Sequence, residues 1–242
     1  MYILRIPLQL PPDERIHPSM GSIFHGALME HIGDEAAARF HEQTLRPYSQ
    51  FLGTSPDGTP YWQFGILTDE AYGVLAAGLS GLKKLYLKHK GYAVGLGEST
   101  CIRHETYALF MQKHLNQPVP SQVTIHFHHV TSFKQQGKYV LFPDQRLIFQ
   151  SLLLRFNLFS PVPLEDGIAD VLAYYVPVRD YALQSASFGV EGRTIKGFKG
   201  ILTYTLQGDE MIRRTASLLV DYANFSGIGI KTALGMGAVT TK

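Results

Sequence analysis

Ser226-Gly-Ile-Gly-Ile-Lys-Thr-Ala-Leu-Gly-Met-Gly-Ala-Val239 is the stretch from which the fold of this 242-residue chain is read. Gly227, Gly229, Gly235 and Gly237 form two G-x-G pairs about one cation, Lys231. Glycine carries an entropic cost wherever it sits, so this density points to positive φ or to the close approach of another group. Backbone N–H groups curled around a lysine suit a phosphate-bearing partner. Two nucleotide folds are excluded by the same residues. A Walker loop needs Gly directly before its Lys, and Ile230 occupies that place. A dinucleotide fingerprint opens a βαβ unit and needs a third Gly at position 232, which is threonine. The plain alternative is a glycine-rich turn between a last helix and a terminal strand.

Working outward, Asp209–Phe225 reads as the helix that feeds this loop, and a short strand ends the chain. The second half before it reads as a strand at Val123–Thr131, a hairpin around Gln136-Gly137 and a helix at Asp144–Phe159. Strands near Ala173–Phe188 and Phe198–Leu206 follow. In the first half, Met1–Leu10 alternates as a strand. Ile23, Phe24, Ala27, Leu28 and Ile32 then give Met20–Ile32 an apolar helical stripe. Gly33 ends that helix, and Asp34 caps a second one through Phe40–Glu42. A loop at Gln43–Ser49, a strand at Tyr61–Leu67, a helix from Asp69 to Leu82 and strands at Tyr92–Val94 and Thr100–Phe110 complete it. The proline-bearing Asn116–Pro120 reads as a linker. Each half thus follows the order strand, helix, strand, strand, helix, strand. The expected fold is α+β: two tandem ferredoxin-like domains, residues 1–116 and 121–242, with antiparallel sheets and helices on one face.

Composition bounds the function. A hydrophobic content of 45% supplies a packed core, and no apolar run approaches a membrane span. The N-terminus enters at once into a strand and not a signal peptide. One cysteine, Cys101, cannot form an internal disulfide, and the reducing cytoplasm is the expected setting. A net charge of +2 is too small for a general nucleic-acid coat. Residues 1–120 hold ten Lys/Arg against eleven Asp/Glu, and residues 121–242 twelve against nine. An anion grip is therefore expected mainly in the second half.

Ten histidines invite a metal reading. His25 and His31 lie six apart and face different sides of a helix. His126 and His128 share one strand face, yet no third ligand stands at convincing spacing, and no metal is expected. His41 falls in the last turn of the short second helix, where the helix terminus favours the imidazolium by up to about 2 kcal/mol. That suits a general acid near neutrality. Arg46 follows five residues later, with Tyr48 and Ser49 as hydroxyl donors. Proton donor, cation and hydroxyls together suit chemistry that builds negative charge on a phosphate; an ordinary helix-end histidine is the plain alternative. Lys134 and Lys138 flank one hairpin, while Arg193, Lys196 and Lys199 alternate with glycines and Phe198 in another segment. Cations on hairpins beside an aromatic suit a phosphate backbone with a stacked base, or else keep a hairpin solvated. Arg146 and Arg155 lie nine apart on one helix, so at most one faces a given ligand.

These residues resemble a known family. Ser226–Gly237, following a helix that ends Tyr222-Ala-Asn-Phe225, is similar to the glycine loop of the CRISPR repeat-RNA endoribonucleases, the Cas-six family. Phe40-His41-Glu42 with Arg46-Pro47-Tyr48-Ser49 resembles the family's pattern of a catalytic histidine, a spacer, a basic residue, an aromatic and a hydroxyl. Phe133-Lys134, Gly137-Lys138, Pro143–Leu147 and Ser151–Arg155 resemble its second-domain hairpin and helix. There is one departure: some relatives carry a tyrosine on the first helix as a second catalytic group, and the nearest position here is Met29, with His25 one turn earlier.

The resemblance implies two RRM-like ferredoxin folds and a metal-independent cut of CRISPR repeat RNA (precursor crRNA), without a cofactor. The 2′-hydroxyl attacks the adjacent phosphate, leaving a 2′,3′-cyclic phosphate and a 5′-hydroxyl. It implies His41 as proton donor or relay and Arg46 on the developing charge, with the general base left among His25, Tyr48 and His41. Lys231, Thr232 and the loop at Gly227, Gly229, Gly235 and Gly237 would hold the RNA backbone, while the segment with Arg193, Lys196 and Lys199 would track the strand or enter a stem groove. A CRISPR effector complex and a homodimer are the further partners it implies. A non-catalytic RNA-binding subunit sharing the double fold, and a metal nuclease using His126 and His128, are the competing readings.

Overall fold

The computed structural model describes residues 1–34, 37, 38, 40, 44–190 and 192–242. The first half builds one sheet from β1 (Tyr2–Gln9), β2 (Tyr48–Thr54), β3 (Pro60–Ile66), β4 (Lys84–Leu87), β5 (Tyr92–Leu96) and β6 (Thr100–His104). Its order is β2-β3-β1-β5-β4, with β6 also paired to β1. Helices α1 (Gly21–Ile32) and α2 (Asp69–Leu79) supply Phe24, Leu28 and Leu75 to the core over this sheet. The second half builds a sheet from β7 (Gln122–Thr131), β10 (Val178–Val190), β11 (Arg193–Thr205) and β12 (Val239–Thr241), in the order β10-β11-β7-β12. A small hairpin of β8 (Phe133–Gln135) and β9 (Lys138–Val140) stands apart from it. Helices α4 (Gln145–Phe159) and α6 (Glu210–Ser226) cover that sheet. In both sheets the first strand lies inside and the hairpin that follows it lies to one side, every pairing being antiparallel. This is a tandem ferredoxin-like architecture.

Local chemistry sets the helix starts. Asp144 and Asp209 cap α4 and α6, accepting from Leu147 N and Ile212 N at 2.9 Å each. Helix α2 is capped by Thr68 and ends at Leu79, short of the expected Leu82. Two stretches expected as strand are helical. The strand expected over Thr100–Phe110 stops at His104, and Thr106 caps α3 (Tyr107–Asn116). Tyr107, Phe110 and Met111 have i, i+3, i+4 spacing and pack on the core of the second half. The strand expected from Ala173 begins at Val178, because Ala169 and Leu172 of α5 (Ile168–Tyr175) are needed in the core. The expected loop at Gln43–Ser49 gives way to β2 at Tyr48.

The two halves are joined by buried and half-buried polar groups. The end of α6 butts against the first sheet: Ser49 Oγ donates to the Phe225 carbonyl at 2.8 Å, and a Cβ on Gly65 would lie 2.0 Å from the same oxygen. Asp221 of α6 accepts from Arg103 of β6 through two bonds of 3.0 Å, with Lys113 at 3.3 Å and His114 at 3.1 Å. Gln50, in the middle of β2, donates from Nε2 to Gly21 O at 2.9 Å and to Ala233 O at 3.1 Å. Its own carbonyl accepts from Trp62 Nε1 at 2.6 Å. One side chain thereby ties the start of α1 to the C-terminal glycine loop.

Gln50→Leu removes the Gln50 partner of the buried Trp62 N–H and of the Ala233 carbonyl, at about 1–3 kcal/mol for a stranded group; we expect a loss of about 3 kcal/mol in urea unfolding. Burial alone would raise the Asp221 carboxyl, but the bonds from His114 and Arg103 and the nearby charges of Arg103 and Lys113 outweigh it and hold it well below the carboxylate range. A carboxyl so depressed in the folded state stabilises fully above its unfolded value of about 3.9 and loses that contribution as pH falls below it. Wild-type stability should therefore drop more steeply below pH ~4 than that of Asp221→Asn, which starts about 2 kcal/mol lower at neutral pH.

Candidate active site and nucleic-acid interface

A cavity of about 1120 Å³ opens where α1, the glycine loop and the tip of the β10–β11 hairpin meet. Helix α1 supplies His25 and Met29, the segment before β2 supplies Arg46, and the loop supplies Lys231 and Thr232. Arg155 of α4 and Arg193 of the hairpin complete the cationic lining. Among the described residues that line it, none is Asp or Glu. Charges of one sign in a low-dielectric cleft focus the field and favour an anion.

The loop owes its shape to closeness. Gly229 has φ +86°, and a Cβ there would come within 2.4 Å of the Ser132 carbonyl; at Gly237 (φ +65°) it would come within 1.9 Å of Ile228 O. The amides are used inside the fold. Ile228 N donates to Gly237 O and Ile230 N to Ser132 O, both at 3.0 Å, while Gly237 N donates to Val130 O at 3.0 Å and Gly229 N to Ser151 Oγ at 2.8 Å. The amides of Ile228, Gly229, Ile230 and Gly237 thus hold the loop to its own fold and mount Lys231 at the cavity. Lys231 itself sits at φ 52°, ψ 34°, a left-handed conformation costing a side-chain-bearing residue roughly 1–2 kcal/mol. Such strain collects where a side chain must point at a ligand. Gly227 and Gly235 are buried in the same framework, and His129 Nδ1 meets Gly235 O at 2.9 Å.

His25 is 7% exposed and shares a 2.8 Å hydrogen bond between its Nε2 and the Tyr48 hydroxyl. Tyr48 is fully buried, edge-on to Phe40 at 5.0 Å, with Met29 Sδ 4.0 Å from its oxygen. Burial pushes the Tyr48 phenol far above its ordinary value, against the downward pull of the Arg46 charge. A phenol held neutral in this way acts as the fixed partner of His25. His41 lies outside the described residues.

The other cations fall elsewhere. Lys134, Lys138 and Lys196 are exposed, Lys199 is half-buried, and none of the four lines the cavity. Arg193 reaches it because Phe188, Val190 and Ile195 pack the hairpin tip against Met236 of the loop. Of the two α4 arginines, Arg146 is exposed and paired with Asp170, whereas Arg155 is buried against the cavity. Ser151, Gln50 and Met29 take part in building the site without having been picked out as site residues from the sequence. His126 and His128 lie with ring centroids 6.3 Å apart, and no group of three potential metal ligands forms among the described residues.

Comparison with known proteins bears on the fold and the family. The family model of the CRISPR-associated endoribonuclease Cas6 matches residues 125–239. The CRISPR-associated endoribonuclease Cas6 of Streptococcus thermophilus is 30% identical over 222 residues, which span 89% of this chain and 88% of that protein. A Mycobacterium tuberculosis protein of the same description is 28% identical over 242 residues, covering 98% and 76%. Among solved structures, a Cas6 product complex superposes with a TM-score of 0.81 at 24% identity over 99% of each chain. Thermus thermophilus Cas6 superposes with a TM-score of 0.73 at 21% identity, covering 100% of this chain and 98% of that one. The structural matches carry the fold, and the sequence relatives carry the family. No helix among the described residues is long and apolar enough to cross a membrane. The chain belongs to the Cas6 family of CRISPR-associated endoribonucleases.

Proposed function

We propose that this endoribonuclease cuts CRISPR repeat RNA in the cavity between α1 and the glycine loop, without a metal ion. The observation that carries the reading is that His25, Arg46 and Lys231, far apart in sequence, line one cavity with no acid among its described lining residues. The substrate's 2′-oxygen attacks the adjacent phosphorus and gives up its proton, and the bond to the 5′-oxygen breaks as that oxygen gains one. The products are a 2′,3′-cyclic phosphate and a 5′-hydroxyl. His41 is assigned the proton to the leaving oxygen. Arg46 faces the charge that grows on the phosphoryl oxygens, where one placed donor contributes about 3–4 kcal/mol. His25, held by Tyr48, is placed beside the attacking hydroxyl, and Lys231 anchors the backbone. Residues 1–116 and 121–242 are taken as the two units whose junction forms the site. The cytoplasm, self-pairing of the chain and delivery of the product to a CRISPR effector complex belong to the same reading.

Repeat RNA incubated with wild-type protein in EDTA should be cut to cyclic-phosphate ends. His41→Ala should cut at least ~100-fold more slowly while binding as before, and a single 2′-deoxy substitution at the cut site should stop cleavage and leave binding intact. Binding without cleavage by either protein would instead make the chain a scaffold, and inhibition by EDTA would bring back a metal. Arg46→Ala should lower kcat by about 10²–10³-fold with KM nearly unchanged, since the developing charge exists only in the transition state; equal effects on both constants in single-turnover kinetics would contradict its role.

A further inference from the structure

Helix α4 grips Gly229 from both sides. Ser151 Oγ accepts from the Gly229 N–H at 2.8 Å, and one turn later the Arg155 guanidinium donates to the Gly229 carbonyl at 3.1 Å. That bond uses one of five guanidinium N–H groups. The side chain is only 4% exposed, yet it forms part of the cavity wall on the side of Lys231 and Arg193. No carboxylate among the described residues is bonded to it. Burial pulls the guanidinium down to about 10, a nearby tyrosine (Tyr222) pulling weakly the other way, so it stays charged at neutral pH. A neutral amide could hold the Gly229 carbonyl equally well and would avoid the several kcal/mol needed to desolvate a cation. The charge therefore calls for an anion in the cavity. We propose that Arg155 is an RNA-contacting residue, holding Gly229 with one N–H and binding a backbone phosphate of the substrate with the others. This rests on the cavity being the RNA site. It adds a contact from the core of the second half to a cavity lined also by α1, the glycine loop and the hairpin tip.

The test uses uncleavable repeat RNA, 2′-deoxy at the cut site, titrated at several salt concentrations against wild type, Arg155→Gln and Ser151→Ala. Glutamine keeps a donor toward Gly229 and removes the charge. For a folded Arg155→Gln protein we expect Kd to weaken about tenfold and the slope of log K against log salt to shrink by about 0.7–0.9, the value of one phosphate contact. Ser151→Ala loosens the same grip without changing charge and should keep the wild-type slope. Unchanged Kd and slope in Arg155→Gln would overturn the inference, as would an equal loss of slope in Ser151→Ala, which would make loop placement the cause. If the glutamine protein does not fold, Arg155→Lys is compared with wild type on RNAs carrying one neutral methylphosphonate at a time. One position at which the two proteins respond differently supports the contact, and equal responses at every position overturn it. Wild-type protein that fails to bind the repeat RNA would overturn the RNA reading itself, and this inference with it.

Discussion

A single buried amide holds this architecture in register. Gln50 is buried in β2 between Ser49 and Phe51, and its three hydrogen bonds reach Trp62, the first residue of α1 and the 3₁₀ turn just after Lys231. Buried polar groups left without partners cost more than the bonds themselves contribute, so such a bridge tolerates one arrangement and penalises the rest. Its consequence is positional. α1 carries His25 and the loop carries Lys231, and residues from the two halves of the chain are thereby held across one cavity. Ser49 and Gly65 against Phe225, and the cations around Asp221, fix the same joint from its other end.

Electrostatics then follows from geometry. Arg46, Arg155, Arg193 and Lys231 come from four different segments and from both halves of the chain, whose net charge is only +2. Composition therefore hides a site that folding concentrates. The glycines do their work by allowing backbones to touch, which lets Lys231 be mounted in a strained left-handed conformation at the cavity edge. Tyr48 belongs to the same logic. Buried and neutral, it holds His25 at the cavity wall through one hydrogen bond.

What could be read from the chain alone was what local chemistry dictates. The helix starts at Asp144 and Asp209, the glycine loop and most of the strand–helix order leave signatures within a few residues. Helix α3 and helix α5 did not, because short apolar runs such as Tyr107–Met111 and Tyr174–Val178 fit strand and helix alike until tertiary packing chooses. The site shows the same divide. Spacing on α4 said that Arg146 and Arg155 point to opposite sides, but only the packing of α4 on the loop says that Arg155 is the one turned toward the cavity. Loop amides looked available to a phosphate because sequence does not show that Ser132, Ser151 and Val130 already accept from them. Nothing around Gln50 announces partners at positions 21 and 233.

In the proposed reaction the reacting phosphate lies between α1 and the glycine loop, gripped from both halves of the molecule. A crystal structure of the protein with repeat RNA, made uncleavable at the cut site, tests it most directly. The scissile phosphate is expected within hydrogen-bonding distance of Arg46, with a neighbouring phosphate on Lys231. A scissile phosphate lying outside this cavity, on the Lys134–Lys138 hairpin or on the open face of either sheet, would contradict it.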